Sequence, residues 1–222
     1  MCGIIGLFLK NSTFETELGS LLAEMLVKMS DRGPDSAGLA LYSNKSDFDL
    51  KLTLQFQNMT DFIDLKTILK RDLNGEFKCE IRNNHVVLKI FKEDYDLALK
   101  SLSQGQEVAR ILSRGSAIEI FKEIGSPINF VDVFKVNELQ GTHGIGHTRM
   151  ATESAVTTLG AHPFSTGFDE CLVHNGSLSN HNSVRKKLLC EGVQFETEND
   201  SEVAASYLTS KMSSGLTFNT AS

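Results

Sequence analysis

The chain has 222 residues, 41% of them hydrophobic, and a formal net charge of −6. That is enough apolar material for one large domain or two small ones, and the acidic balance argues against a nucleic-acid or anionic-membrane surface. No apolar run reaches the ~18 residues of a membrane span, no secretory signal precedes the first motif, and the four cysteines, Cys2, Cys79, Cys171 and Cys190, are scattered without a CxxC pair, which fits reduced thiols in a cytoplasmic protein.

In chain order, residues 3–9 are apolar and β-like and predict a strand. Leu18, Leu21, Leu22, Met25 and Met29 recur at spacings of three and four, the mark of a helix. It ends before Asp31-Arg32-Gly33-Pro34-Asp35, where Gly and Pro force a loop. Ala37 to Tyr42 reads as a short strand. Leu50, Leu52, Leu54 and Phe56 alternate with polar residues, the pattern of a half-buried strand. Residues 61–71 predict a helix, His85 to Phe91 a strand, 94–113 a longer helix and Phe130 to Leu139 another. Gly141 to Arg149 is a Gly- and His-rich strand or turn. Cys171-Leu172-Val173 predicts a short buried strand that ends at the turn His174-Asn175-Gly176. A helix follows from about Asn180 to Cys190, and another starts after Asp200. Strands and helices interleave without a strict βαβ rhythm, so an α+β or layered αβ sandwich is expected.

Cys2 carries the most chemical information. Methionine aminopeptidase removes Met1 when the second side chain is small, and the mature chain then begins with a cysteine. One residue would hold a thiol and an α-amino group of pKa near ~8, able to take the thiol proton directly or through a water. The plainer alternative is a small buried apolar residue. Arg32 would favour thiolate if it lies near that terminus; otherwise its segment is a solvated turn. Arg149, at the end of Gly146-His147-Thr148-Arg149, could clamp a carboxylate with its planar fork, or form a structural ion pair. His147 reads as a core histidine with no proton-transfer role. The Asn175 amide and the Gly176 N–H could form an oxyanion hole, or simply turn a hairpin. Glu198-Asn199-Asp200-Ser201 is either a helix cap or an acidic site for a substrate ammonium. The six histidines lack metal-ligand spacing, and no phosphate-binding glycine loop is present. A nucleophile, an oxyanion hole, an arginine and an aspartate together suit an α-amino acid whose side chain carries a carbonyl.

Several motifs carry a resemblance. Met1-Cys2-Gly3-Ile4-Ile5-Gly6, Arg32-Gly33-x-Asp35-Ser36-Ala37-Gly38, His147-Thr148-Arg149-x-Ala151-Thr152, His162-Pro163, His174-Asn175-Gly176 and Asn199-Asp200-Ser201-Glu202 resemble the class II glutamine amidotransferase domain, one of the N-terminal nucleophile hydrolases. The stretches 29–35, 149–156 and 172–182 are similar to glutamate synthase domain 1-like proteins, including the small subunit of N-methylglutamate synthase (methylamine–glutamate N-methyltransferase). The resemblance implies an α+β fold, a four-layer α/β/β/α sandwich. It implies one domain over residues 1–222 with a long insertion at about 45–140. Cys2 would be the nucleophile, with Asn175 and Gly176 as oxyanion hole and Arg32 positioning the terminus. Arg149, Thr152 and Asp200 would bind L-glutamine. The ammonia would pass to a synthase subunit whose flavin and iron–sulfur clusters this chain does not itself need. A γ-glutamylamide hydrolase of the same superfamily, or a non-catalytic regulatory subunit with this fold, are the alternatives. Two positions depart from the family pattern: Met150 stands where a Trp is common, and Glu153-Ser154 where a His-Gly pair is. Further strands are also expected after the Asp200 helix; the polar tail 213–222 does not supply them, so the chain reads as C-terminally shortened.

Overall fold

Eight strands sort into two antiparallel sheets in the computed structural model, which describes residues 2–43, 46–103, 109–150 and 156–216. The first sheet runs in the order β1 (Gly3–Phe8), β8 (His143–Arg149), β2 (Ser36–Tyr42), β7 (Ile118–Ile124). The second runs β4 (Lys78–Arg82), β5 (His85–Ile90), β3 (Leu50–Phe56), β6 (Ala109–Gly115). Helices α1 (Leu18–Lys28) and α4 (Pro127–Val133) cover the first sheet, where Leu18, Leu22 and Leu26 meet Leu39, Leu41 and Phe121. Helices α2 (Met59–Asp72) and α3 (Tyr95–Ser103) cover the second, where Phe62, Leu65 and Leu69 meet Leu52, Leu54 and Phe56. A smaller cluster of Ala40, Leu112, Ile118 and Ile120 joins the sheets. This is the expected α+β class, with two sheets backed by helices. Each fully buried Leu or Phe contributes about 1.5–3 kcal/mol relative to exposure. Helices α5 (His181–Cys190) and α6 (Asp200–Ser213) pack on each other at the C-terminal end of the described chain.

Two polar devices tie the sheets together. The ammonium of Lys51 on β3 is fully buried, donates to Glu119 Oε1 on β7 at 2.8 Å and to the Ser43 carbonyl at 2.9 Å. The Asp169 carboxylate caps the turn between β6 and β7: it accepts from the backbone N–H groups of Ser116, Ala117 and Ile118 and from the Ser116 hydroxyl. Burial alone would raise the Asp169 pKa, but these donors outweigh it and hold the group below the usual carboxylate range.

The structure corrects four sequence expectations. β3 is not half-buried, because Lys51 and Thr53 are as buried as Leu52 and Leu54. The alternation was real, but the second face packs on the other sheet through buried polar pairs. The helix expected over 94–113 ends at Ser103, and Ala109–Gly115 is a strand paired with β3. Its apolar repeat does not continue past Leu102, and the Ile111-Leu112 pair serves the sheet instead. β4 and β7 were not anticipated; in β7 the charged Glu119 and Lys122 are buried and paired, which hides a core strand. Cys171-Leu172-Val173 is half-buried and makes only an isolated bridge from Leu172 to Phe164.

Removing one partner of a buried ion pair leaves an uncompensated charge. Lys51→Met should therefore lower the unfolding free energy by about 3–5 kcal/mol, measured by urea denaturation. The double variant Lys51→Met/Glu119→Leu should recover most of that loss.

Candidate functional site

Strand register builds the site. β8 pairs with β1 on one side and β2 on the other: Gly3 faces Thr148, and Ser36 faces Arg149. Cys2 is one residue beyond Gly3, so it lies alongside Arg149 at the shared end of these strands. The 3₁₀ turn Ser30–Arg32 packs against that end. A β-carbon on Gly33 would sit 2.4 Å from the Thr148 carbonyl carbon, so only glycine lets the turn approach. The Asp35 N–H then donates to the Arg149 carbonyl at 3.0 Å.

A cavity of about 1270 Å³ opens at this end, and Cys2, Arg149, Asn175, Gly176, Asp200 and Ser201 all line it. The Asn175 amide donates to the backbone carbonyl of Cys2 at 3.1 Å. An amide has two N–H donors, so one can hold the terminus while the other addresses a ligand. The Cys2 thiol is half-buried, 3.9 Å from the Met150 carbonyl. Arg149 is 8% exposed and donates to the Gly160 carbonyl at 3.4 Å. Asp200 opens α6. Its Oδ2 accepts from the Leu178 N–H at 2.8 Å, and its Oδ1 lies 3.4 Å from the Ser201 hydroxyl and 3.9 Å from His174 Nδ1. Asn199 caps the helix through the Ser201 N–H, so capping falls to Asn199 while Asp200 faces the cavity. Arg32 is exposed on its turn and is not among the lining residues; the arginine beside Cys2 is Arg149. Thr152 lies outside the described residues, as do Ala151, Glu153 and Ser154 of the same loop.

Sequence reasoning gave no role to the support behind these groups. Lys122 is buried, with its Nζ donating to the carbonyls of Ala161 at 2.9 Å, Leu159 at 3.1 Å and Pro163 at 3.4 Å. It stands 4.8 Å above the Phe164 ring. This ammonium gathers the loop that brings Gly160 to Arg149 and His162 to Ser201. Burial pushes Lys122 down to about 8, against the opposing pull of Glu196 and Glu202. His162 and His147 stack with ring centres 4.2 Å apart. Burial brings His162 to about 2 and His147 to about 4, so both rings are neutral at cellular pH. The second sheet adds Gln55, Asn84 and Arg110 to the cavity wall. The His162-Pro163 dipeptide and the reading of His147 as a core histidine were the sequence signals for this shell; nothing local marks Lys122.

A glutamine amidotransferase-like protein of Rhizobium meliloti (strain 1021), GlxB, is 51% identical over 216 residues, covering 97% of this chain and 71% of that protein. This chain belongs to the glutamine amidotransferase-like proteins. The sequence profile of a glutamine amidotransferase domain matches residues 135–216 of this chain, the part that holds Arg149, Asn175, Gly176 and Asp200. The glutamine–fructose-6-phosphate aminotransferase (isomerizing) of Methanosarcina mazei is 38% identical over 115 residues, covering 50% of this chain and 18% of that enzyme. A glutamine phosphoribosylpyrophosphate amidotransferase from B. subtilis, solved with ADP and GMP, matches at a TM-score of 0.46 and 15% identity, covering 100% of this chain and 31% of its own. Among the described residues no cluster of His, Cys, Asp and Glu could hold a metal ion, and no helix is long and apolar enough to cross a membrane.

The Lys122 environment sets a pH dependence. Its folded pKa of about 8 lies below the unfolded lysine value near ~10.4. Between those values the unfolded chain holds the proton and the folded chain does not, so this group raises stability as pH climbs through that window. The stability difference between the wild type and Lys122→Met should therefore move in favour of the wild type from pH 8 to 10, measured by denaturant unfolding at each pH.

Proposed function

We propose that this chain hydrolyses L-glutamine through a Cys2 thioester, releasing ammonia for a synthase partner. The observation that carries the reading is the hydrogen bond from Asn175 to the Cys2 carbonyl, made in the same cavity that Arg149 and Asp200 line. That bond supports the reading of Asn175 as an oxyanion donor to a Cys2 nucleophile. Arg149 and Asp200 then suit the two ends of an α-amino acid, one anionic and one cationic.

Once Met1 is gone, the Cys2 amine takes the thiol proton. The thiolate attacks the side-chain amide carbon of glutamine. The second Asn175 N–H and the Gly176 backbone N–H receive the oxyanion. The tetrahedral adduct collapses, the carbon–nitrogen bond breaks, and the amine returns its proton to the leaving ammonia. Water, activated by the same amine, then cleaves the thioester to glutamate and restores the thiol. Thr152 is assigned to glutamine binding on its motif alone. Arg32, exposed and outside the cavity lining, would act on the thiolate only through its field, which solvent and salt weaken. The family resemblance of segments 149–156 and 172–182 favours a glutamate-synthase-like or N-methylglutamate-synthase-like acceptor. The described part of residues 45–140, read as an insertion, contributes the whole second sheet.

Cys2→Ala, or a chain that keeps Met1, should lose glutamine-dependent ammonia release; normal release by either would refute the mechanism. Asn175→Ala should lower kcat by about 10²–10³-fold, the usual effect of losing one oxyanion donor. Arg149→Ala should act mainly on KM. All four are read in a coupled ammonia assay with glutamine varied.

A further inference from the structure

We propose that Ser201 is a positioning residue that fixes the Asp200 carboxylate, and so sets how tightly the α-ammonium of glutamine is held; this rests on the role assigned to Asp200 above. Ser201 is 1% exposed, and its hydroxyl meets three groups. His162 Nε2 is at 2.8 Å, His174 Nδ1 at 3.3 Å and Asp200 Oδ1 at 3.4 Å. A hydroxyl has one proton and two lone pairs, so three neighbours take up its whole capacity.

The arrangement follows from His162. Its ring is buried and neutral, and its Nδ1 is buried without a hydrogen-bond partner among the described residues. An orphaned buried N–H is rarer than an under-satisfied acceptor, which assigns the ring proton to Nε2. His162 therefore donates to the Ser201 oxygen, and the Ser201 proton is left for the groups at the cavity. If His174 Nδ1 also carries a proton, it donates to the second lone pair of that oxygen or to Asp200 Oδ1, and the Ser201 proton goes to Asp200. If His174 Nδ1 is bare, it competes for that proton and weakens the hold. In the first case Asp200 is held at both oxygens, Oδ2 by the Leu178 N–H and Oδ1 by Ser201. A carboxylate fixed at both oxygens has lost its rotational freedom before the ligand arrives, and such preorganisation strengthens binding.

The test compares wild type, Ser201→Ala and Ser201→Thr on two substrates, L-glutamine and its analogue lacking the α-amino group (glutaramate). Ser201→Ala should raise KM for glutamine about tenfold, the scale of one hydrogen bond to a charged group, while kcat shifts far less. KM for the des-amino analogue should not move, because that compound has no ammonium for Asp200. Ser201→Thr, which keeps the hydroxyl, should restore the glutamine value. An unchanged glutamine KM in Ser201→Ala overturns the proposal, and so does an equal loss on both substrates, which marks a merely structural role. Should Ser201→Ala not fold, Ser201→Cys, with a weak donor of similar size, is judged on the same criteria. A wild type that leaves glutamine intact refutes the hydrolase reading itself, and this proposal with it.

Discussion

The pairing of β8 with both β1 and β2 is the constraint on which the site hangs. A strand between two antiparallel neighbours has its register fixed from both sides, and a slip of one residue would turn every side chain to the wrong face. Register therefore places Cys2, Ser36 and Arg149 at one end of the sheet. The turn at Gly33 then closes over that end. Residues from opposite ends of the sequence meet because backbone hydrogen bonds leave them no other position.

The far wall of the cavity is held differently. Residues 157–163 have almost no regular secondary structure, and their carbonyls would be unsatisfied without a donor. Lys122 supplies one ammonium to three of them. Asp169 does the reverse, one carboxylate gathering the N–H groups of the β6–β7 turn. Lys51 and Glu119 close the seam between the sheets. Each device concentrates a charge on several backbone dipoles, which is how an irregular segment can be buried at all. The site thus has one wall set by strand register and another set by buried ions.

That division also explains what could be read from the sequence. The first wall was legible. α1 showed its stripe in Leu18, Leu22 and Met25, β2 its apolar run, and Cys2, Arg149, Asn175 and Asp200 stood in short motifs whose chemistry converges on one substrate. The second wall was not. Lys122 and Glu119 look like solvent-facing charges on a strand, and only the fold shows that they are buried. The expected helix over 94–113 failed for a related reason: Ala109–Gly115 carries Arg110, Ser113 and Arg114 among its apolar residues, and only pairing with β3 makes it a strand. The Asn199-Asp200-Ser201 stretch was read as either a cap or a ligand site, and it divides the work, with Asn199 capping and Asp200 in the cavity.

The bond between Asn175 and Cys2 joins positions 173 residues apart, and this bears on how the chain is made. A ribosome adds about 5–20 residues per second, so roughly ten to thirty seconds separate the emergence of the two partners. β1 likewise has no neighbour until β8 is translated. Throughout that interval the N-terminus is an unpaired end, open to the aminopeptidase. Once β8 is made, Gly3–Phe8 pairs with it and Asn175 holds the Cys2 carbonyl. The removal of Met1 that the proposed mechanism requires would therefore have its opportunity during synthesis, before β1 pairs with β8.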